Sequence, residues 1–238
     1  RRAAAPAMNW ADSLGNMATL DAWRKEVGLV FEAERPAALT LPTSGRSLTR
    51  RPTHNMRYGE VAGVNKPISR LVMGTMIFKA DALPLACSLL DHFYEVGGNC
   101  FDTAHVYRCE ETVGQWIRLR GIREELVILA KGARDEKCTP EGINAQLAET
   151  LEKMQLDYVD IYMIHSDNPS VPVGELVDCL NQHLRAGRLH AFGGSNWSIE
   201  RIEAANAYAQ AHGLVGFAAS SPNLSLAEWN EPMWPACL

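Results

Sequence analysis

Leu126-Val127-Ile128-Leu129-Ala130-Lys131 is an unbroken apolar run that ends on a charge. A strand with one wet face would alternate apolar and polar residues. A strand apolar on both faces fits a parallel sheet covered on both sides. Downstream, Thr139-Pro140 reads as a helix start, a capping residue followed by proline in the first turn. Ile143, Leu147, Leu151 and Met154 then fall at i, i+4, i+8 and i+11, a single helical stripe. A buried strand followed by an amphipathic helix is one βα unit.

The unit repeats in both directions. Upstream, Asn99-Cys100-Phe101-Asp102 reads as a strand between helices near 82–96 and 110–120. Downstream, Tyr158-Val159-Asp160-Ile161-Tyr162-Met163-Ile164 is a strand. The helix after it, near 173–186, puts Leu176, Leu180 and Leu184 on one face and stops at Gly187. Leu189-His190-Ala191-Phe192-Gly193 follows as a strand, then a helix capped by Ser198, then Val215-Gly216-Phe217-Ala218-Ala219 as a further strand. Strand starts at 99, 126, 158, 189 and 215 lie 27, 32, 31 and 26 residues apart, the length of one βα unit. Counting the strand that ends near Gly74-Thr75, six such strands are expected.

Repeated βα units build either a doubly wound sheet or a barrel. No G-x-G-x-x-G fingerprint occurs, which favours the barrel. A complete barrel needs eight units and ~250 residues, whereas 56–238 offers 183. The expected fold is therefore α/β, a (β/α)8 TIM-type barrel truncated after about six βα units, with an N-terminal extension. The extension and linker are assigned to 1–55, and the incomplete barrel to 56–238. Within the extension a helix is expected from Thr19, as cap, through Val27, with Leu20, Trp23 and Val27 on one apolar face. Residues 34–54, which include Pro36, Pro42 and Pro52, read as linker. Strands at 56–61 and 68–73 flank a turn at 63–67.

The net charge of −5 gives no basic footprint for nucleic acid, and no run of 18 apolar residues suggests a membrane span. Six cysteines without a C-x-x-C pair are expected as reduced, mostly buried thiols of a cytoplasmic protein. The start at Arg1-Arg2 lacks an apolar stretch behind it, so a signal peptide is not expected, and the chain reads as a fragment of something longer.

Polar residues gather where these strands end. Asp102 closes one and Tyr107 follows five positions later; Lys131 closes the next; His165 closes the third; Ser195 and Asn196 follow the fourth. In parallel strands these positions converge on one rim. Singly each has an ordinary structural role: a cap for Asp102, a half-buried loop position for Tyr107, a satisfied core imidazole for His165. A lysine directly behind Val-Ile-Leu-Ala is harder to place without a partner, because a buried ammonium is costly unpaired. Together the groups suit proton delivery to a carbonyl oxygen. A lysine cation ~4 Å from a phenol contributes ~4 kcal/mol at an effective dielectric of 20. That would draw a tyrosine from ~10 towards 7, where a general acid works best. Asp102 would hold Lys131, and His165 would orient the carbonyl.

These residues stand in motifs that resemble the aldo-keto reductase family. The matching stretches are Ser69-Arg70-Leu71-Val72-Met73-Gly74-Thr75-Met76, Phe101-Asp102-Thr103-Ala104-His105-Val106-Tyr107, Leu129-Ala130-Lys131, Asp160-Ile161-Tyr162-Met163-Ile164-His165 and Gly193-Gly194-Ser195-Asn196. The resemblance implies an NAD(P)H-dependent oxidoreductase that reduces a small-molecule aldehyde or ketone. It implies Asp102, Tyr107, Lys131 and His165 as the catalytic four, with Ser195 and Asn196 on the nicotinamide carboxamide. It also implies NADPH as cofactor, with NADH as the alternative, and extends the cofactor-binding set to Gly74, Thr75 and Ser221. Two features depart from the family pattern: Arg108-Cys109-Glu110-Glu111 replaces a longer glycine-containing loop, and Ser221 stands where a glutamine is common. More faintly, Thr19-Leu20-Asp21-Ala22-Trp23-Arg24 and Val27-Gly28-Leu29-Val30-Phe31 resemble the tail of the glucose–fructose oxidoreductase family, implying fusion to an upstream oxidoreductase domain.

Other readings use the same residues. Lys131 beside an acid and a tyrosine could form a Schiff base, as in a lyase. Asp102, His105 and His165 offer metal-ligand types, without a second ligand-spaced cluster. A non-catalytic barrel subunit would need none of this chemistry.

Overall fold

A computed structural model describes residues 10–31, 34–35 and 43–223. Helix α1 (Trp10–Glu26) precedes a small hairpin, β1 (Tyr58–Gly59) and β2 (Ile68–Ser69), paired antiparallel. The alternation follows: β3 (Val72–Gly74), α2 (Leu83–Glu95), β4 (Cys100–Ala104), α3 (Glu110–Arg120), β5 (Val127–Gly132), α4 (Pro140–Met154), β6 (Val159–Ile164), α5 (Val173–Arg185), β7 (Leu189–Ser195), α6 (Ile199–Ala211) and β8 (Ala219–Ser221). Strands β3 to β8 form one parallel sheet in chain order. The sheet curls into a half-barrel with helices on its outer side. Among the described residues β3 and β8 each keep one unpaired edge.

The alternation of side chains across each strand divides the core in two. Phe101, Ile128, Tyr162 and Phe192 point outward and pack with Leu90, Val113, Trp116, Leu147, Leu176 and Leu180 of the helices. Cys100, Val127, Ile161, Met163 and Ala191 point inward and pack with Val64 and Ile68 from the hairpin. The hairpin thus plugs the N-terminal end of the half-barrel and leaves the C-terminal ends of the strands open.

Side-chain caps open two of the helices. Thr139 caps α4 by accepting from Gly142 N at 3.1 Å, and Ser198 caps α6 by accepting from Arg201 N at 3.2 Å. Several expectations shift. Thr19 lies inside α1 and donates to Gly15 O at 2.8 Å instead of capping, because the residues before it continue the helix. Leu20, Trp23 and Val27 are exposed rather than packed. The single strand expected at 68–73 breaks at Arg70 and Leu71. There Ser69 Oγ donates to Leu71 O and accepts from Asn99 N and Cys100 N, which turns the chain from the hairpin into the sheet. The last strand begins at Ala219, not at 215. Val215 exchanges hydrogen bonds with the Asn181 side chain and Phe217 N donates to Asn206 Oδ1, so side chains hold this segment before the ladder takes over. Residues 43–54, read as linker, lie against the barrel: Leu48 packs on the core, Arg46 reaches Asp91 at 2.8 Å, and Arg50 covers the Tyr94 ring at 4.9 Å. The tail at 224–238 falls outside the described residues.

A buried carboxylate fastens the plug to the sheet. Asp160, fully buried, pairs with Lys66 of the hairpin turn at 2.7 Å and with Arg123 at 2.9 Å, and accepts from Ile128 N at 2.9 Å. Removing one partner of a buried pair strands the other charges. Asp160→Ala should therefore lower unfolding free energy by ~3–5 kcal/mol, measured by chemical denaturation. A loss under ~1 kcal/mol would show that this network does not hold the hairpin.

Candidate active site

The same alternation that makes the inner core places the polar groups. Two residues beyond Cys100 is Asp102; beyond Val127 and Leu129 is Lys131; beyond Ile161 and Met163 is His165; beyond Ala191 and Gly193 is Ser195. Each therefore sits on the inner side of the sheet at its open end. The register sets their heights: Asp102 lies beside Leu129 and Ala104 beside Lys131, so Asp102 and Lys131 meet on a diagonal. The Lys131 ammonium donates to Asp102 Oδ1. Lys131 is 4% exposed, so the carboxylate supplies the partner that its burial demands.

Tyr107 comes from a single turn, His105–Tyr107, that follows β4. Arg108, at φ 57°, reverses the chain into α3. This brings the Tyr107 ring under the Lys131 ammonium, 5.1 Å from centroid to Nζ. His165 meets the same ring edge-on, with centroids 5.8 Å apart and planes at 84°. His165 N donates to Gly132 O at 2.7 Å, extending the β5–β6 ladder by one bond. Its Nδ1 is buried with no partner among the described residues. Burial first, then the Lys131 and Arg134 charges, push its pKa down to about 4, with Asp135 opposing. The imidazole is therefore neutral at pH 7.

A second group adjoins the first. Ser195 Oγ donates to Ser221 O at 3.2 Å, and Asn196 Nδ2 donates to Ser195 Oγ at 3.2 Å. Asn196 adopts the left-handed conformation, φ 57°, and its N donates to Ser221 O at 3.1 Å. Gly193 permits this: a Cβ there would meet Ala219 O at 1.9 Å, so β8 could not approach any larger residue. Gly74 is exposed at the end of β3. Thr75 is fully buried, and its hydroxyl donates to Asp102 O at 2.8 Å.

The structure thus brings Asp102, Tyr107, Lys131 and His165 together and sets Ser195, Asn196 and Ser221 beside them. It does not bring in His105, whose Nε2 lies 2.7 Å from Glu149 Oε2 of α4. Among the described residues no three His, Cys, Asp or Glu side chains form a metal-holding group. Sequence reasoning noted Cys109 only as part of the short loop after Tyr107 and gave Thr103 no role of its own; the two side chains lie 3.4 Å apart, Cys109 Sγ to Thr103 Oγ1.

Comparison with known proteins adds to this geometry. The model of the Aldo/keto reductase family matches residues 70–237. A probable aryl-alcohol dehydrogenase of Saccharomyces cerevisiae is 32% identical over 149 residues, 56% of this chain and 45% of that protein. A norsolorinic acid reductase of Emericella nidulans is 32% identical over 181 residues, 66% of this chain and 46% of that protein. The chain spans less than half the length of these two relatives. Among solved structures, a thermostable aldo-keto reductase in complex with the inhibitor epalrestat superposes with a TM-score of 0.61 at 26% identity, covering 69% of this chain and 61% of that one.

The environment of His165 is testable directly. Its imidazole should titrate at about 4 by NMR, and higher in Lys131→Met, which removes one of the depressing charges. Because the folded pKa lies below the unfolded value of ~6.5, the unfolded chain binds the extra proton first. Stability from this group should fall as pH drops from 6.5 towards 4, and change no further below that. A titration at or above 6.5 would contradict the site as described.

Proposed function

Because the chain belongs to the aldo/keto reductase family, we propose that it carries the proton-delivering centre of an enzyme that reduces an aldehyde or ketone with a nicotinamide cofactor. The observation that supports this most is the Lys131 ammonium, paired with Asp102 and poised over the Tyr107 ring. Tyr107 donates its phenolic proton to the carbonyl oxygen, and the Lys131 cation stabilises the phenolate left behind. Asp102 keeps Lys131 charged and aimed. His165, neutral, hydrogen-bonds the carbonyl oxygen through its ring. It is a poor rival as proton source: with a pKa of about 4, roughly one imidazole in a thousand is protonated at pH 7.

NADPH, with NADH as the alternative, is the cofactor this reading requires, and when bound it supplies the hydride. The residues fit its carboxamide end. Asn196 Nδ2 is engaged by Ser195, while its Oδ1 has no partner among the described residues and remains as an acceptor for an amide N–H. Ser195 and Ser221 hold Asn196 in its strained conformation, and the exposed backbone at Gly74 lines the same rim. Relatives named for aryl alcohols and norsolorinic acid point to an aromatic carbonyl substrate. Exposed Met76, Ile77 and Val106, on the loops after β3 and β4, supply apolar surface at that end.

Tyr107→Phe in the intact protein should cut kcat for carbonyl reduction by ~10²–10⁴, the usual weight of general acid catalysis. Cofactor affinity, read by fluorescence titration, should change little. Near-normal turnover in the variant would remove Tyr107 from this role.

A further inference from the structure

The chain from Tyr107 into α3 is short, and its second residue is buried where a loop would ordinarily be exposed. Cys109 is wholly inaccessible, as are Thr75 and Thr103. Its Sγ lies 3.3 Å from Thr75 Oγ1 and 3.4 Å from Thr103 Oγ1. The protons in this triangle have a direction. Thr75 Oγ1 gives its own proton to Asp102 O at 2.8 Å, so it can only accept from the thiol. The thiol proton is then committed, so Sγ accepts from the Thr103 hydroxyl. The run Thr103 O–H, Cys109 S–H, Thr75 O–H, Asp102 C=O is a closed relay with every donor used.

Its ends bear on the site. Thr103 and Asp102 belong to β4, and Thr75 follows β3. Cys109 lies two residues after Tyr107, and its carbonyl accepts from Val113 N at 3.0 Å in the first turn of α3. Between them Arg108 holds φ 57°, a conformation that an L residue keeps only when both sides are fixed. On one side is the strand that carries Asp102; on the other is the buried thiol.

We propose that Cys109 is a positioning residue for Tyr107. The thiol, locked between Thr75 and Thr103, fixes the short turn, so that the phenol stays under Lys131 without the support of a longer loop. This rests on the reading of Tyr107 as the general acid, but the clamp itself is a separate matter. A side chain displaced by ~1 Å can lower a rate ~10²-fold, so the effect belongs in kcat rather than in binding.

The test compares Cys109→Val with Cys109→Ser in the intact protein. The valine variant keeps apolar bulk and loses both hydrogen bonds. It should lower kcat ~10–100-fold with KM for substrate and cofactor affinity near native. The serine variant restores a donor and acceptor and should recover part of that loss. In a Tyr107→Phe background Cys109→Val should cost nothing further, because its effect passes through the phenol. A second readout is independent of catalysis. Trypsin cleavage after the exposed Arg108 should be at least about tenfold faster in Cys109→Val, since local opening sets such cleavage. Should Cys109→Val fail to fold, the isosteric Thr103→Val carries the same test with a smaller fall in kcat and faster cleavage. Native kcat and native cleavage in these variants, or an equal kcat loss in the Tyr107→Phe background, would overturn the proposal. Faster cleavage together with native turnover in Tyr107→Phe alone would uphold the clamp and sink the general-acid reading instead.

Discussion

An ammonium at the end of a buried strand must find a carboxylate on the same face of a neighbouring strand, and most of the site follows from that requirement. Lys131 is 4% exposed at the end of β5. The parallel register offers β4 and β6 as neighbours, and only β4 presents an acid inward at the right height, Asp102. The pair sits on the inner face because each strand alternates, with Cys100, Val127 and Leu129 continuing that face into the inner core. The hairpin below, fastened through Lys66 and Asp160, closes the other end. The polar groups are therefore confined to one rim.

That confinement sets the electrostatics. With Lys131 engaged, its charge acts on two rings at once: the Tyr107 face beneath it, and His165, whose pKa it helps to depress. Burial, with the Lys131 charge second, holds the imidazole neutral. Under the proposed reading the phenol serves as acid and the imidazole remains neutral to orient the carbonyl. The short turn between β4 and α3 makes this arrangement depend on buried contacts beneath it, at Thr75, Thr103 and Cys109.

Much of this is legible in the sequence. The run from Leu126 to Lys131 announced a buried parallel strand, and the spacing of its neighbours announced repeated βα units; the half-barrel has that order. Asp102, Lys131, His165 and Ser195 were legible because strand ends in parallel sheets share a rim. Other features were hidden for physical reasons. The start of β8 at Ala219 depends on side chains of Asn181 and Asn206 capturing the preceding backbone, which apolar content does not encode. The break between β2 and β3 depends on one serine hydroxyl. The burial of Thr75 depends on which carbonyl its hydroxyl finds, and the sequence shows only a threonine after a glycine.

The account turns on whether this rim, within the intact protein, moves a hydride to a carbonyl under the control of the Lys131–Asp102 pair. The direct measurement supplies an aromatic aldehyde with nicotinamide cofactor deuterated at the transferring carbon and follows the label by NMR, in native protein and in Lys131→Met. The account predicts deuterium on the carbinol carbon of the alcohol product, and transfer slowed by ~10² or more in the variant. Cofactor that binds without passing its label to the substrate, or native-rate transfer in Lys131→Met, would contradict it.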